Sequence, residues 1–157
     1  MEKVRELIGD IKTGMLTTQD ESGKLFSRPM ATMQMDEQGT LWFLTKEHSP
    51  KAGQIKQNYQ VNVAYAHPDE ASYVSISGTA EELTDRAKID ELWSAMAKPW
   101  FPEGKDDPEL AVLKVTTETA EYWDSTSSRM IRLFEMARAA LTGDTYKEGD
   151  NKVVQNN

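Results

Sequence analysis

Residues 13–45, TGMLTTQDESGKLFSRPMATMQMDEQGTLWFLT, decide the architecture. Three β-type runs stand in this stretch: Gly14 to Thr18, Leu25 to Met35 and Thr40 to Thr45. Turns at Glu21-Ser22-Gly23 and Asp36-Glu37-Gln38-Gly39 separate them. Connections this short, each with a glycine free to take the positive φ of a tight turn, join antiparallel neighbours. The stretch is therefore a meander.

Working outward, Val4, Leu7, Ile8 and Ile11 recur at helical spacing and predict a helix over residues 2–11. Further strands are expected at 60–67, 72–83 and from Ala111 to about Asp124. Ser49-Pro50-Lys51 opens a short crossing helix, since serine caps well and proline suits the first helical position. A longer helix is expected from Asp85 to Ala97, capped by Thr84 or Asp85, with Ile89, Leu92, Trp93 and Met96 on one face. A loop over 98–108 carries Trp100-Phe101-Pro102, and a last helix is expected to carry Met130, Phe134, Ala137 and Leu141. These elements make one α+β domain over residues 1–143, followed by a polar tail, 144–157, expected to be mobile. Short antiparallel strands ringed by helices fit a small barrel, because closure protects strand edges. An open sheet with helices on one face is the alternative. A doubly wound sheet is disfavoured, since no G-x-G-x-x-G follows a strand.

Composition narrows the function. No cysteine is present, so disulfides, zinc–thiolate sites and cysteine nucleophiles are out, and redox chemistry would need a borrowed cofactor. The formal charge of −8 repels polyanions, which argues against nucleic-acid and membrane-surface partners. No apolar run of about 18 residues occurs, so a soluble, cytoplasmic chain is expected. His48 and His67 stand apart without metal-ligand spacing, and no metal site is expected. Glu81-Glu82 and Asp106-Asp107 read as solvated strand-end or loop charges.

Two features carry chemistry. Ser49-Pro50-Lys51 gathers a hydroxyl, an ammonium group and free backbone N–H groups at a helix start, where phosphate binds well; an ordinary capped helix with a solvated lysine has the same pattern. Arg28 shares a strand face with Phe26, Met30 and Thr32, a setting that calls for an anion. Pro29 beside it also suits an edge strand with its charge turned to water.

The succession Ser27-Arg28-Pro29-Met30, Leu41-Trp42-Phe43-Leu44-Thr45 and Ser49-Pro50-Lys51-Ala52-Gly53-Gln54-Ile55 resembles the flavin mononucleotide (FMN)-binding half of the pyridoxamine 5′-phosphate oxidase-like split barrels. Ser77-Gly78-Thr79-Ala80-Glu81, Trp100-Phe101-Pro102-Glu103-Gly104 and Ala120-Glu121-Tyr122-Trp123-Asp124 extend the likeness to the general stress protein branch, over about residues 3–125. The resemblance implies an antiparallel split β-barrel with peripheral helices, with FMN or FAD as cofactor. It implies that Arg28, Ser49 and Lys51 hold the FMN phosphate, and that Thr45 and the backbone around Pro29, Met30 and Leu44 lie near the ribityl chain or ring. It further implies a homodimer whose interface contains the flavin, with Tyr73 near the ring and Trp123 supplied by the second subunit. Large aromatics on strands are usually core or interface residues, and for Tyr73 that reading is the favoured one.

Departures from the vitamin B6 oxidases matter too. Pro50 stands where they carry a second basic residue, and Ile131, after Arg129, where they carry a histidine. The expectation is an FMN-dependent oxidoreductase acting between a small electron donor and acceptor, with no side chain required as acid or base. A non-catalytic flavin-binding stress protein is the alternative, and a pyridoxamine phosphate oxidase a more distant one. Lys46 and Lys56 are expected on the solvent side of the phosphate segment.

Overall fold

In the computed structural model the described residues are 1–47, 50–57, 59–94, 97–124 and 151–156, with side chains described for all of these except 50–52, 57 and 151. The last helix expected around Met130 to Leu141, and Ser49 and His48, lie outside them. Helix α1 (Glu2–Ile11) leads into β1 (Thr13–Gln19), β2 (Leu25–Met35) and β3 (Leu41–Lys46). Helix α2 (Pro50–Gln57) crosses to β4 (Gln60–His67), and a single 3-10 turn, Pro68–Glu70, precedes β5 (Ser72–Leu83). Then follow α3 (Arg86–Leu92), β6 (Leu110–Trp123) and β7 (Asn151–Gln155).

All pairings are antiparallel, in the order β3-β2-β1-β4-β5-β6-β7, and β3 also pairs with β6. That extra pairing, Leu41↔Val115 through Lys46↔Leu110, closes six strands into a barrel. The meander's turns form as read: Gly23 and Gly39 take φ of 83° and 82°, a region costly for residues with a Cβ. In the second turn Asp36 accepts from the Thr40 backbone N–H and the Trp42 indole N–H.

Alternation along each strand sends one face inward. Leu16, Phe43, Val63, Ile76 and Val115 fill the barrel, and Val4, Leu7 and Ile8 of α1 plug one end. A second cluster, Ile89, Leu92, Phe101, Leu110 and Val112, packs α3 and the following loop outside β3 and β6. Helix α3 is shorter than expected. Asp85 caps it by accepting from the Lys88 N–H, but Trp93 is already extended, so only Ile89 and Leu92 of the predicted apolar face lie in the helix.

The described residues of the tail add one more strand. Residues 151–155 pair with Trp123 through Thr119 as β7, and Asn156 donates from its backbone N–H to the Glu118 carbonyl and from Nδ2 to the carbonyls of Gln38 and Thr117. Its polar side chains suit a sheet edge as well as a loose end, which is why periodicity missed it.

Candidate functional site

The site begins where two strands part. β2 and β3 pair only over Thr32↔Phe43, Gln34↔Trp42 and Met35↔Leu41, with a bulge that leaves Met33 unmatched. Beyond Thr32, β2 stays with β1 as far as Leu25, while β3 stays with β6 as far as Lys46. Between them the β3-facing edge of Leu25–Ala31 has no ladder partner among the described residues. A cavity of about 770 Å³ opens there, bounded by Pro29–Met35, Leu44–Lys46, the inner stripe of α1 and the loop that carries Phe101. That volume suits a small-molecule ligand.

Thr45 is the telling wall residue. It is only 2% exposed, and its Oγ1 is buried without a hydrogen-bond partner. A buried hydroxyl left unmatched costs about 1–3 kcal/mol, so the position makes sense if a ligand supplies the partner. Deeper in, the Thr32 hydroxyl is matched by the Tyr65 phenol at 2.7 Å; burial raises the phenol's pKa, only partly offset by that bond, so Tyr65 stays neutral.

Arg28 is next in sequence to this wall, and its side chain bonds to Thr18 and Gln54. Its Nη1 donates to Thr18 Oγ1 at 2.6 Å and its Nη2 to Gln54 Oε1 at 3.0 Å, while Thr18 donates to Gln54 at 2.5 Å. Burial lowers the guanidinium's pKa. Among the described residues it meets only neutral oxygens, with no carboxylate at ion-pair distance. The two readings of Arg28 are thus decided against a charge turned freely to water. Gln54 sits one turn into α2, so this bond ties Arg28 to the first turns of that helix. Helix α2 starts at Pro50 as the sequence predicts; the Lys51 side chain and Ser49 lie outside the described residues.

The structure therefore brings Pro29, Met30, Leu44 and Thr45 together around one cavity, with Arg28 next to Pro29 in sequence. Tyr73 and Trp123 are elsewhere: they face each other across β5 and β6, on the far side of β1 and β4 from β2. Thr18 and Gln54 were missed, since nothing local marks a threonine and a glutamine as partners of an arginine distant in sequence.

Two charges are corrected. Asp107 is buried, 2% exposed, rather than solvated: its Oδ1 accepts from the Glu109 N–H and its Oδ2 pairs with Lys46 at 3.3 Å. The Glu109 backbone bond, with lesser help from Lys46 and against the penalty of burial, holds its carboxyl below the ordinary value. Lys46 thus ties β3 to the loop before β6 and also lines the cavity. Lys56 is exposed as expected.

The model of the family described as pyridoxamine 5′-phosphate oxidase like matches residues 1–147 of the chain. The chain belongs to that family. Among curated proteins, General stress protein 26 of Bacillus subtilis is 30% identical over 120 residues, covering 74% of this chain and 83% of that protein. A Jannaschia sp. CCS1 protein, solved as a candidate general stress protein 26, superposes with a TM-score of 0.77 at 28% identity, over 98% of this chain and 96% of that one. The general stress FMN/FAD binding protein of Xanthomonas citri gives 0.67 at 30% identity, over 82% and 93%. The pyridoxamine 5′-phosphate oxidase-like split barrel, in its general stress protein branch, is thus the frame in which this site stands.

Proposed function

We propose that the chain binds FMN in the opening between β2 and β3 and acts as a flavin-dependent oxidoreductase of the general stress type. The observation that carries the reading is Thr45, which lines a ligand-sized cavity between parted strands and holds a buried, unmatched hydroxyl. Arg28 supports it, since a half-buried guanidinium that meets only neutral oxygens among the described residues retains its full charge for a phosphate. The residues present fit the cofactor: Arg28, Ser49 and Lys51 would hold the phosphate, and Thr45 with the free edge of β2 would meet the polar atoms of the rest. The flavin, when bound, supplies the redox chemistry. The chain's part is to bind, orient and exclude water, with Leu44, Met30 and Phe101 forming the apolar wall.

A second copy completes this reading. Pro29, Met15, Ala64 and Ser75 form one outward row across β2, β1, β4 and β5, and Ser27, Thr17, Asn62 and Ser77 the next. Neither row carries a charge, in a chain with 28% charged residues, and the face runs into the cavity at Pro29. A homodimer seated there would place the flavin at its interface. Tyr73, beside Ala66 at the other side of this face, would belong to the contact.

Titrating FMN and riboflavin by fluorescence tests the cofactor. FMN is expected to bind more tightly, and Arg28→Ala to weaken FMN by about 1.5–3 kcal/mol, ten- to a hundredfold, while narrowing the preference. Lys56→Ala is the control. An unchanged preference in Arg28→Ala would put the phosphate elsewhere. Steady-state assays with NADH, NADPH and several acceptors separate oxidoreductase from flavin store: turnover no faster than with free FMN would favour the store.

A further inference from the structure

One wall of the cavity is a stripe of α1 that the flavin reading does not use. Arg5, Ile8, Gly9 and Lys12 follow the i, i+3, i+4, i+7 spacing of one helix face, and all four line the cavity. Lys12 is the helix's C-cap at φ 61°, and its carbonyl accepts from the Thr32 N–H at 2.7 Å, which ties the end of α1 to β2 beside the cavity floor.

Three observations set this stripe apart. The Arg5 Nε is buried and has no hydrogen-bond partner, and neither Arg5 nor Lys12 forms an ion pair with a described residue. Lys46, at the β3 side, is by contrast paired with Asp107 and Glu109. Among the described residues no carboxylate lines the cavity, although acidic residues outnumber basic ones 26 to 18 along the chain. Finally, Gly9 sits inside a helix, where glycine costs about 1 kcal/mol relative to alanine, yet a Cβ placed on it would meet nothing within 4 Å. Among the described residues no packing requires that glycine. The bare backbone between two unpaired cations leaves room for a flat group with a negative end.

We infer that the Arg5–Gly9–Lys12 stripe is the binding site for a planar aromatic anion, the molecule that exchanges electrons with the flavin. Its ring lies over Gly9 against Ile8 and the loop aromatics, and its carboxylate or phosphate meets Arg5 and Lys12. The electron-transfer role rests on the proposed flavin function; the recognition of the anion does not.

Equilibrium dialysis of 4-nitrobenzoate, 4-nitrophenyl phosphate and the neutral 4-nitrobenzamide, with and without saturating FMN, reads the site directly. Either anion should be retained at least about tenfold better than the amide, and the tighter of the two names the head group. Arg5→Gln and Lys12→Gln should each weaken the anions about tenfold and the amide less than about twofold, with FMN affinity unchanged within about twofold. Gly9→Leu should abolish retention while the melting temperature holds or rises, because leucine is the better helix former. Equal retention of anions and amide, or variants that leave the anions unmoved, would overturn the inference. So would a loss of FMN affinity in Arg5→Gln as large as in Arg28→Ala, since the stripe would then hold the cofactor's phosphate. A change of mass in light scattering for Gly9→Leu, with anion retention intact, would give the stripe to a partner copy and also overturn it. If FMN itself fails to bind, the flavin reading falls while anion retention still tests the stripe.

Discussion

Thr45 is a residue whose fold and function pull in opposite directions. Its hydroxyl is buried and unmatched, so Thr45→Val, nearly the same shape, should stabilise the ligand-free protein by about 1 kcal/mol and raise its melting temperature. The same change should weaken FMN several-fold. Paired thermal melts and flavin titrations check both signs, and a lower melting temperature in the valine variant would mean that the hydroxyl already has a partner. Asp107 gives a pH signature. Its carboxyl sits below the ordinary value of 3.8, so its stabilisation is fully present above about that pH and is lost as pH falls through the lower folded value. Asp107→Asn should therefore melt below wild type at neutral pH, and the gap should close at pH values under 3.8. A gap independent of pH would count against the ion pair with Lys46.

At the scale of the element, the bulges do the shaping. Ser77 pairs with Thr119 and Gly78 with Thr117, leaving Glu118 unmatched, and the strands pinch so closely that a Cβ on Gly78 would lie 2.0 Å from the Thr116 carbonyl oxygen. That obstacle is backbone, which no rotamer relieves. Gly78→Ala should cost roughly 1–3 kcal/mol, measured by urea denaturation, whereas Gly53→Ala, where a Cβ meets nothing, should not destabilise. The strands and turns of the meander were legible because alternation and Gly23 and Gly39 are local signals. Pro50 likewise marked the start of α2. The bulges at Met33 and Glu118 were not legible, because they record a mismatch between two strands rather than a property of either. Helix α3 was overextended because Trp93 continues the apolar spacing past the last helical residue, Leu92. Within the site, Arg28 and Thr45 stood out through chemistry and family likeness. Gln54's bond to Arg28 and the α1 stripe exist only once distant segments are folded together.

For the whole molecule, strand β6 is the spine: its first half closes the barrel against β3, its second half carries β7, and β5 pairs along nearly all of it. The outer face of β2, β1, β4 and β5 is where the proposed second copy would sit. Ala64 lies in the row that joins Met15 to Ser75, so Ala64→Glu, which buries like charges across a symmetric contact, should yield monomers by light scattering with the melting of the monomer little changed. A wild type that is monomeric at micromolar concentration with flavin bound would remove the interface. The uncharged face has one more consequence. Each copy carries a net charge of −8, all of it off the contact, so two approaching copies repel at long range but meet no specific ion pairs. Added electrolyte can then only screen the repulsion, with a Debye length of roughly 30 Å at 0.01 M shrinking to about 8 Å at 0.15 M. Self-association should accordingly tighten as ionic strength rises, the reverse of an encounter steered by opposite charges.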